Sequence, residues 1–161
     1  MTVLTQRTRI KICGLTREAE VQVAAEAGAD AVGFVLFAPS ARHVSLDRAV
    51  ELAKHLPPLV TPVLLLVNVA ADEIQRATQA MPNALLQFHG DETPSHCEAA
   101  QRPYWRAVAM SAGVDLLDWH HRFSSAQALL LDAPVEGFGG GGKVFDWSLL
   151  SANVGCPIVL S

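Results

Sequence analysis

Apolar residues along the chain gather into seven short runs: Ile10–Cys13, Ala31–Phe37, Pro62–Val69, Ala84–Phe88, Tyr104–Met110, Ala128–Asp132 and Cys156–Leu160. Most are apolar throughout rather than alternating, the pattern of strands covered on both faces in a parallel sheet. Helix-like segments separate them at Thr16–Ala27, Leu46–Leu56, Ala71–Ala80, Thr93–Ala100, Val114–Arg122 and a short Asp146–Leu150. Successive strands are spaced by about 24 residues, which suits repeated right-handed βα units. Thr16 and Ser45 are placed to cap the first two helices, and Gly28 stands where the first needs a terminator.

This pattern leaves two architectures open. A (β/α)8 barrel needs eight strands in roughly 200 residues or more, and residue 161 falls on the seventh. The alternatives are a barrel present only through about its seventh strand and an open doubly wound sheet with an odd number of strands. No linker, charge block or low-complexity tract divides residues 1–161, so a single domain is expected.

Composition narrows the function classes. Half of the residues are hydrophobic and 17% are charged, a balance for a large core rather than disorder. The 12 Lys+Arg against 16 Asp+Glu give a charge of −4, which excludes a strongly basic nucleic-acid binder. No apolar run of about 18 residues suggests a membrane span, and Met1–Lys11 lacks a secretory apolar stretch. A cytoplasmic location without membrane partners is expected. Cys13, Cys97 and Cys156 leave an odd thiol and show no paired metal-ligand spacing.

Polar groups at the strand ends carry the candidate chemistry, because parallel α/β folds collect functional groups there. Cys13 ends the first run, before Gly14 and a helix start; it is either an ionisable base or nucleophile, or a small buried residue. Cys97 and Cys156 read as packing residues. Asp132 ends the wholly apolar Leu129-Leu130-Leu131, where an isolated carboxylate is expensive; a general acid competes with a cap or salt bridge. Gly137 to Lys143 formally fits a dinucleotide fingerprint, but it is too far from the strand and lacks a long helix and a later acidic ribose ligand. Gly139, Gly140, Gly141 and Gly142 read better as a loop closing over a ligand, with a plain linker as the alternative. Arg42 follows the second run and suits a carboxylate or phosphate. His89 follows the fourth, as a titrating or a structural histidine, and the His120-His121 pair reads as solvent-facing.

In order, the segments KICGLT (11–16), GADAVGFVLFAPSARHVS (28–45), VLLLVN (63–68), LQFHGDE (86–92), LLLDAP (129–134), GGGGKVFDW (139–147) and PIVLS (157–161) resemble the N-(5′-phosphoribosyl)anthranilate isomerase family of tryptophan biosynthesis. The set spans nearly the whole chain and is specific in combination. The resemblance implies the (β/α)8 TIM barrel, and it implies that the family pattern continues past Ser161 with an eighth strand and most of the phosphate-binding amides. It also implies an Amadori rearrangement of an aminoaldose to an aminoketose, with two proton handlers, no cofactor and no metal.

By the same resemblance Cys13 is the general base and Asp132 the general acid. Asp132 protonates the furanose ring oxygen so that the sugar opens to a Schiff base, and the Cys13 thiolate removes the C2′ proton. The acid must therefore hold its proton near neutrality while the base has lost its own. Arg42 matches an arginine expected to bind the anthranilate carboxylate, although Ala41 replaces the usual proline. Gly139 to Gly142 correspond to the loop over the substrate, and His89 lines the site without an assigned role. The expected partner is a small phosphorylated substrate, with a homodimer left open. The competing functions are an inactive barrel fragment serving as an interaction or assembly module, and another phosphate-binding barrel enzyme.

Overall fold

The computed structural model describes residues 7–134, 138, 144–150 and 154–161. Seven strands lie parallel in sequence order: β1 (Lys11–Cys13), β2 (Ala31–Val35), β3 (Thr61–Leu66), β4 (Leu85–Phe88), β5 (Tyr104–Ala109), β6 (Ala128–Asp132) and β7 (Ile158–Leu160). Helices α1 (Glu18–Glu26), α2 (Leu46–Ala53), α3 (Ala71–Ala80), α4 (Pro94–Ala99) and α5 (Leu116–Arg122) connect the first six. A 3-10 turn at Trp147–Leu149 precedes β7. Neighbours in sequence are neighbours in the sheet, as in a βα barrel wall, and no strand order reverses as a doubly wound sheet would require.

The uniformly apolar strands are explained by two different burials. On the outer face Val32, Phe34, Leu64, Leu66, Leu86 and Phe88 pack against Val21 and Ala24 of α1, Ala49 and Leu52 of α2, and Ile74 and Ala77 of α3. Side chains offset by one residue point inward, where Ala31, Val63, Leu85 and Trp105 form one layer. Val35, Leu65, Val67 and Cys13 form the layer above it. Full burial of a Leu or Phe side chain contributes about 1.5–3 kcal/mol. Both faces therefore favour the same register, and a one-residue slip would exchange them.

The local signals were partly those expected. Ser45 Oγ accepts from Arg48 N at 3.1 Å and caps α2. Gly28 follows the end of α1 at φ +89, a left-handed conformation that costs glycine nothing. Thr16 does not cap α1: the Glu20 carboxylate reaches back to accept from the backbone N–H of Thr16 and Arg17, at 2.9 and 3.1 Å. The expected strand Pro62–Val69 ends at Leu66, ahead of Asn68 at φ +51, and the expected helix Asp146–Leu150 contracts to the 3-10 turn. Among the described residues no helix is long and apolar enough to cross a membrane.

Candidate active site

Cys13, Arg42, His89 and Asp132 come from four different stretches of sequence and meet at the carboxyl ends of the strands. Cys13 is the last residue of β1 and faces inward because Ile12, one residue earlier, faces out. Its register partner is Gly33 of β2. A Cβ on Gly33 would stand 2.7 Å from Cys13 Sγ and 3.0 Å from Lys11 Nζ, so the thiol and the ammonium share the space that this glycine leaves open. Gly14 then turns the chain at φ +83, and the Arg42 guanidinium lies across it; a Cβ there would come within 2.7 Å of Nη1. Arg42 Nη1 donates to Cys13 O at 2.9 Å. The exposed Arg42 side chain is thus tied to the strand end that carries the thiol.

On the other wall His89 lies just past β4 and Asp132 ends β6. His89 Nε2 is 3.2 Å from Asp132 Oδ2, and Gln87 Nε2 is 2.9 Å from His89 Nδ1. Gln87 and His89 are two residues apart and therefore share the inner face. Gln87 is 2% exposed. Asp132 Oδ1 accepts from Ala133 N at 2.9 Å.

The hydrogen bond with His89 holds the Asp132 carboxyl below its ordinary range; burial pushes the other way and is outweighed, and Arg42 adds a further pull downward. The resemblance implies an acid that holds its proton near neutrality, and the direction of this shift is the opposite. Its neighbours stabilise the charged form instead, because a donor and a cation face it.

The loop after β4 is held by a buried ion pair that the sequence reading did not find. Glu92 accepts from Asn68 N at 2.8 Å and Gly90 N at 2.9 Å, and Arg106 donates to Phe88 O at 2.9 Å, Gly90 O at 2.7 Å and Glu92 Oε2 at 3.2 Å. Their side chains are only 1% and 4% exposed. The Arg106 guanidinium also lies 5.5 Å from the Trp119 ring and 5.1 Å from Phe123. Burial lowers the Arg106 pKa, while Glu92 raises it. These contacts hold the backbone on both sides of His89, at Phe88 O, Gly90 O and Gly90 N. The available signal was two oppositely charged residues, Glu92 and Arg106, within or beside otherwise apolar strand segments.

A cavity of about 250 Å³ opens beside this wall and is lined by His89, Asp91, Ala109, Asp132, Ala133 and Phe138, among others. A larger groove of about 580 Å³ lies at the opposite ends of the strands, around Leu56, Leu59 and Met81, away from all four site residues. Among the described residues no three His, Cys, Asp or Glu side chains form a group suited to a metal ion. Gly139, Gly140, Gly141 and Gly142 lie outside the described residues. Phe138 is described, and its ring meets Phe37 edge-on at 5.9 Å, bringing the segment after β6 across to the one after β2. Cys97 is buried, and its thiol is pushed up to about 12 by desolvation, as befits a packing residue. Cys156 is half-buried, and burial raises its pKa as well. His121 is exposed as expected, whereas His120 is half-buried.

Comparison with known proteins places this geometry. Residues 10–158 match the family described as N-(5′phosphoribosyl)anthranilate (PRA) isomerase. The N-(5′-phosphoribosyl)anthranilate isomerase of Leptothrix cholodnii is 61% identical over 155 residues, covering 96% of this chain and 70% of that protein. The phosphoribosyl anthranilate isomerase of Thermus thermophilus superposes with a TM-score of 0.84 at 29% identity, over 95% of this chain and 76% of that one. A phosphoribosyl anthranilate isomerase crystallised with reduced 1-(o-carboxyphenylamino)-1-deoxyribulose 5-phosphate superposes with a TM-score of 0.73 at 31% identity, over 89% and 68% of the two chains. A match that runs from just ahead of β1, which ends in Cys13, to the start of β7, beyond Asp132, takes in both walls of the site, and on it this chain belongs to the N-(5′-phosphoribosyl)anthranilate isomerase family.

Proposed function

We propose that the chain isomerises N-(5′-phosphoribosyl)anthranilate to its carboxyphenylamino-deoxyribulose phosphate by acid–base chemistry, with Cys13 as base and Asp132 as acid. The observation that carries this reading is the placement of a thiol and a carboxylate at strand ends on separate walls of one inner face. A proton donor for the ring oxygen and an acceptor for the C2′ proton must reach two different atoms of one sugar, so separate elements are needed to hold them. Proton transfer from Asp132 to the ring oxygen breaks the C1′–O bond and leaves a Schiff base. Cys13 thiolate then takes the C2′ proton, and the enolamine tautomerises to the ketone.

Arg42, exposed and anchored by one nitrogen to Cys13 O, retains donors for the anthranilate carboxylate. The relative crystallised with a phosphorylated product analogue supports a small phosphorylated substrate here, and Gly139 to Gly142 are proposed as the loop over it. A cytoplasmic location accords with a biosynthetic reaction of this kind. The test is turnover of N-(5′-phosphoribosyl)anthranilate, followed by its fluorescence, in the full chain and in Cys13→Ala. Loss of kcat by about a hundred-fold or more is expected from removing a positioned proton acceptor. Unchanged kcat in Cys13→Ala would refute the base.

A further inference from the structure

Lys11 is a charge on the inner face of the sheet that the acid–base reading leaves without a task. It stands two residues before Cys13 on β1, so both side chains point to the same face. Its register partner is Ala31, a member of the apolar layer that includes Val63, Leu85 and Trp105. An ammonium at that level is costly to desolvate unless it is paired. Yet Lys11 is half-buried and, among the described residues, makes no ion pair and no side-chain hydrogen bond. Its stem carries Nζ one level up, to the space over Gly33, where an added Cβ would meet Nζ at 3.0 Å and Cys13 Sγ at 2.7 Å. A glycine inside a strand costs stability unless something approaches closely there, and in Ala31–Val35 two side chains do.

The geometry points to Lys11 as a further catalytic residue: its ammonium donates a hydrogen bond to the C2′ hydroxyl oxygen of the substrate while Cys13 takes the proton from C2′. The inference rests on the proposed role of Cys13. A base in attacking position stands about 3–3.5 Å from its carbon, and the hydroxyl oxygen is one bond beyond that carbon. With Nζ and Sγ both against one point above Gly33, an oxygen on the carbon that faces Sγ comes within hydrogen-bond reach of Nζ. Arg42 does not serve this oxygen, because it meets the chain one residue past Cys13, at Gly14, and its free donors are proposed for the anthranilate carboxylate.

The proton and electron count closes without a further reactant. The thiolate removes the C2′ proton; the C–H pair becomes the C1′=C2′ bond and the C1′=N pair returns to nitrogen, which gives the neutral enolamine. O2′ then loses its proton to solvent, and its O–H pair closes C2′=O. The C1′=C2′ pair takes up at C1′ the proton held by Cys13, which restores the thiolate, and solvent returns a proton to Asp132. Negative charge grows on O2′ as its O–H bond breaks, so a cation there stabilises the transition state more than the bound substrate. Lys11 keeps its own proton throughout.

The test combines a variant with spectroscopy of the unaltered chain. Lys11→Met keeps the length of the side chain and removes the ammonium; kcat should fall about ten- to a hundred-fold while KM changes by less than about three-fold. Turnover of this variant in D2O should also leave deuterium at C2′ in the recovered substrate: while the enolamine waits, the Cys13 thiol exchanges with solvent, and part of the enolamine returns. Wild-type kcat, or a fall in kcat without deuterium at C2′, would overturn the proposal. So would a changed rate of Cys13 alkylation by iodoacetamide in Lys11→Met, since the ammonium would then act on the thiol. In the unaltered chain, whose lysines are Lys11, Lys54 and Lys143, the ¹⁵Nζ signal of Lys11 should shift on adding reduced 1-(o-carboxyphenylamino)-1-deoxyribulose 5-phosphate. An unmoved Lys11 signal at saturation would overturn the contact even if Lys11→Met failed to fold. If Cys13→Ala kept full turnover, the base assignment itself would fail; if Cys13→Ala were inactive and Lys11→Met normal, only the role of Lys11 would.

Discussion

Replacing Gly33 by Ala asks whether the position of the Cys13 sulfur, rather than its mere presence, sets the rate. The added Cβ would stand 2.7 Å from Sγ, 3.0 Å from Lys11 Nζ and 3.2 Å from Cys13 Cα. The lysine end can move, but the sulfur sits on a short side chain at a strand end, and the Cα belongs to β1 itself. Reaching ordinary contact requires the sulfur to retreat by roughly 0.7 Å, and displacements near 1 Å at a reacting group cost about a hundred-fold in rate. Overpacking costs about 1–3 kcal/mol, partly offset by about 0.4–1 kcal/mol from the stiffer unfolded chain. The melting temperature should therefore fall by only a few degrees, at about 2–4 °C per kcal/mol for a chain of this size. Gly28→Ala supplies the opposite case. Nothing lies within 4 Å of its added Cβ, but φ is +89, so about 1–2 kcal/mol of stability should be lost with kcat intact. The assay is steady-state kinetics beside thermal melting for both variants. Gly33→Ala with normal kcat would show that the sulfur's placement against β2 does not matter, and the reasoning would fail.

Three further outcomes follow from the same contacts. Arg42→Ala should mainly raise KM for the anthranilate substrate, because it removes a charge-assisted contact; a fall in kcat alone would assign it another role. Glu92→Gln should cost about 3–5 kcal/mol in urea unfolding by stranding the Arg106 guanidinium, whereas a change below 1 kcal/mol would mean that the pair does not hold the loop. Asp132, with its folded pKa lowered, contributes stability above the ordinary carboxyl range that is lost as pH falls through the folded value. Urea midpoints of the wild type and Asp132→Asn should thus converge on acidification, and a gap that is constant with pH would contradict the His89 contact.

The strand and helix order was legible because each strand is apolar on both faces and each connection is polar enough to stand out. α3 appears over the residues its pattern predicts, Ala71–Ala80. The ends of β2 and β3 were not legible, since Leu36, Phe37, Val67 and Val69 remain apolar past the strand ends, where Val67 is buried and the other three are partly buried against the two core layers. Cys13, Arg42, His89 and Asp132 were found because strand ends are where polar groups interrupt apolar runs. The Gln87 contact with His89 and the Glu92–Arg106 pair were missed because they depend on which side chains the fold brings together in space. The direction of the Asp132 shift was missed for a related reason: its main cause, His89, is 43 residues away in sequence.

The division of labour between Cys13 and Asp132 is tested most directly by trapping the opened sugar. Single-turnover mixing with N-(5′-phosphoribosyl)anthranilate, quenched by borohydride, reports whether the Schiff base has formed. Cys13→Ala should open the ring and accumulate the reducible Schiff base, because only C2′ deprotonation is lost. Asp132→Asn should leave the furanose closed and trap almost none. Equal trapping in the two variants, or more in Asp132→Asn than in Cys13→Ala, would contradict the assignment of acid and base.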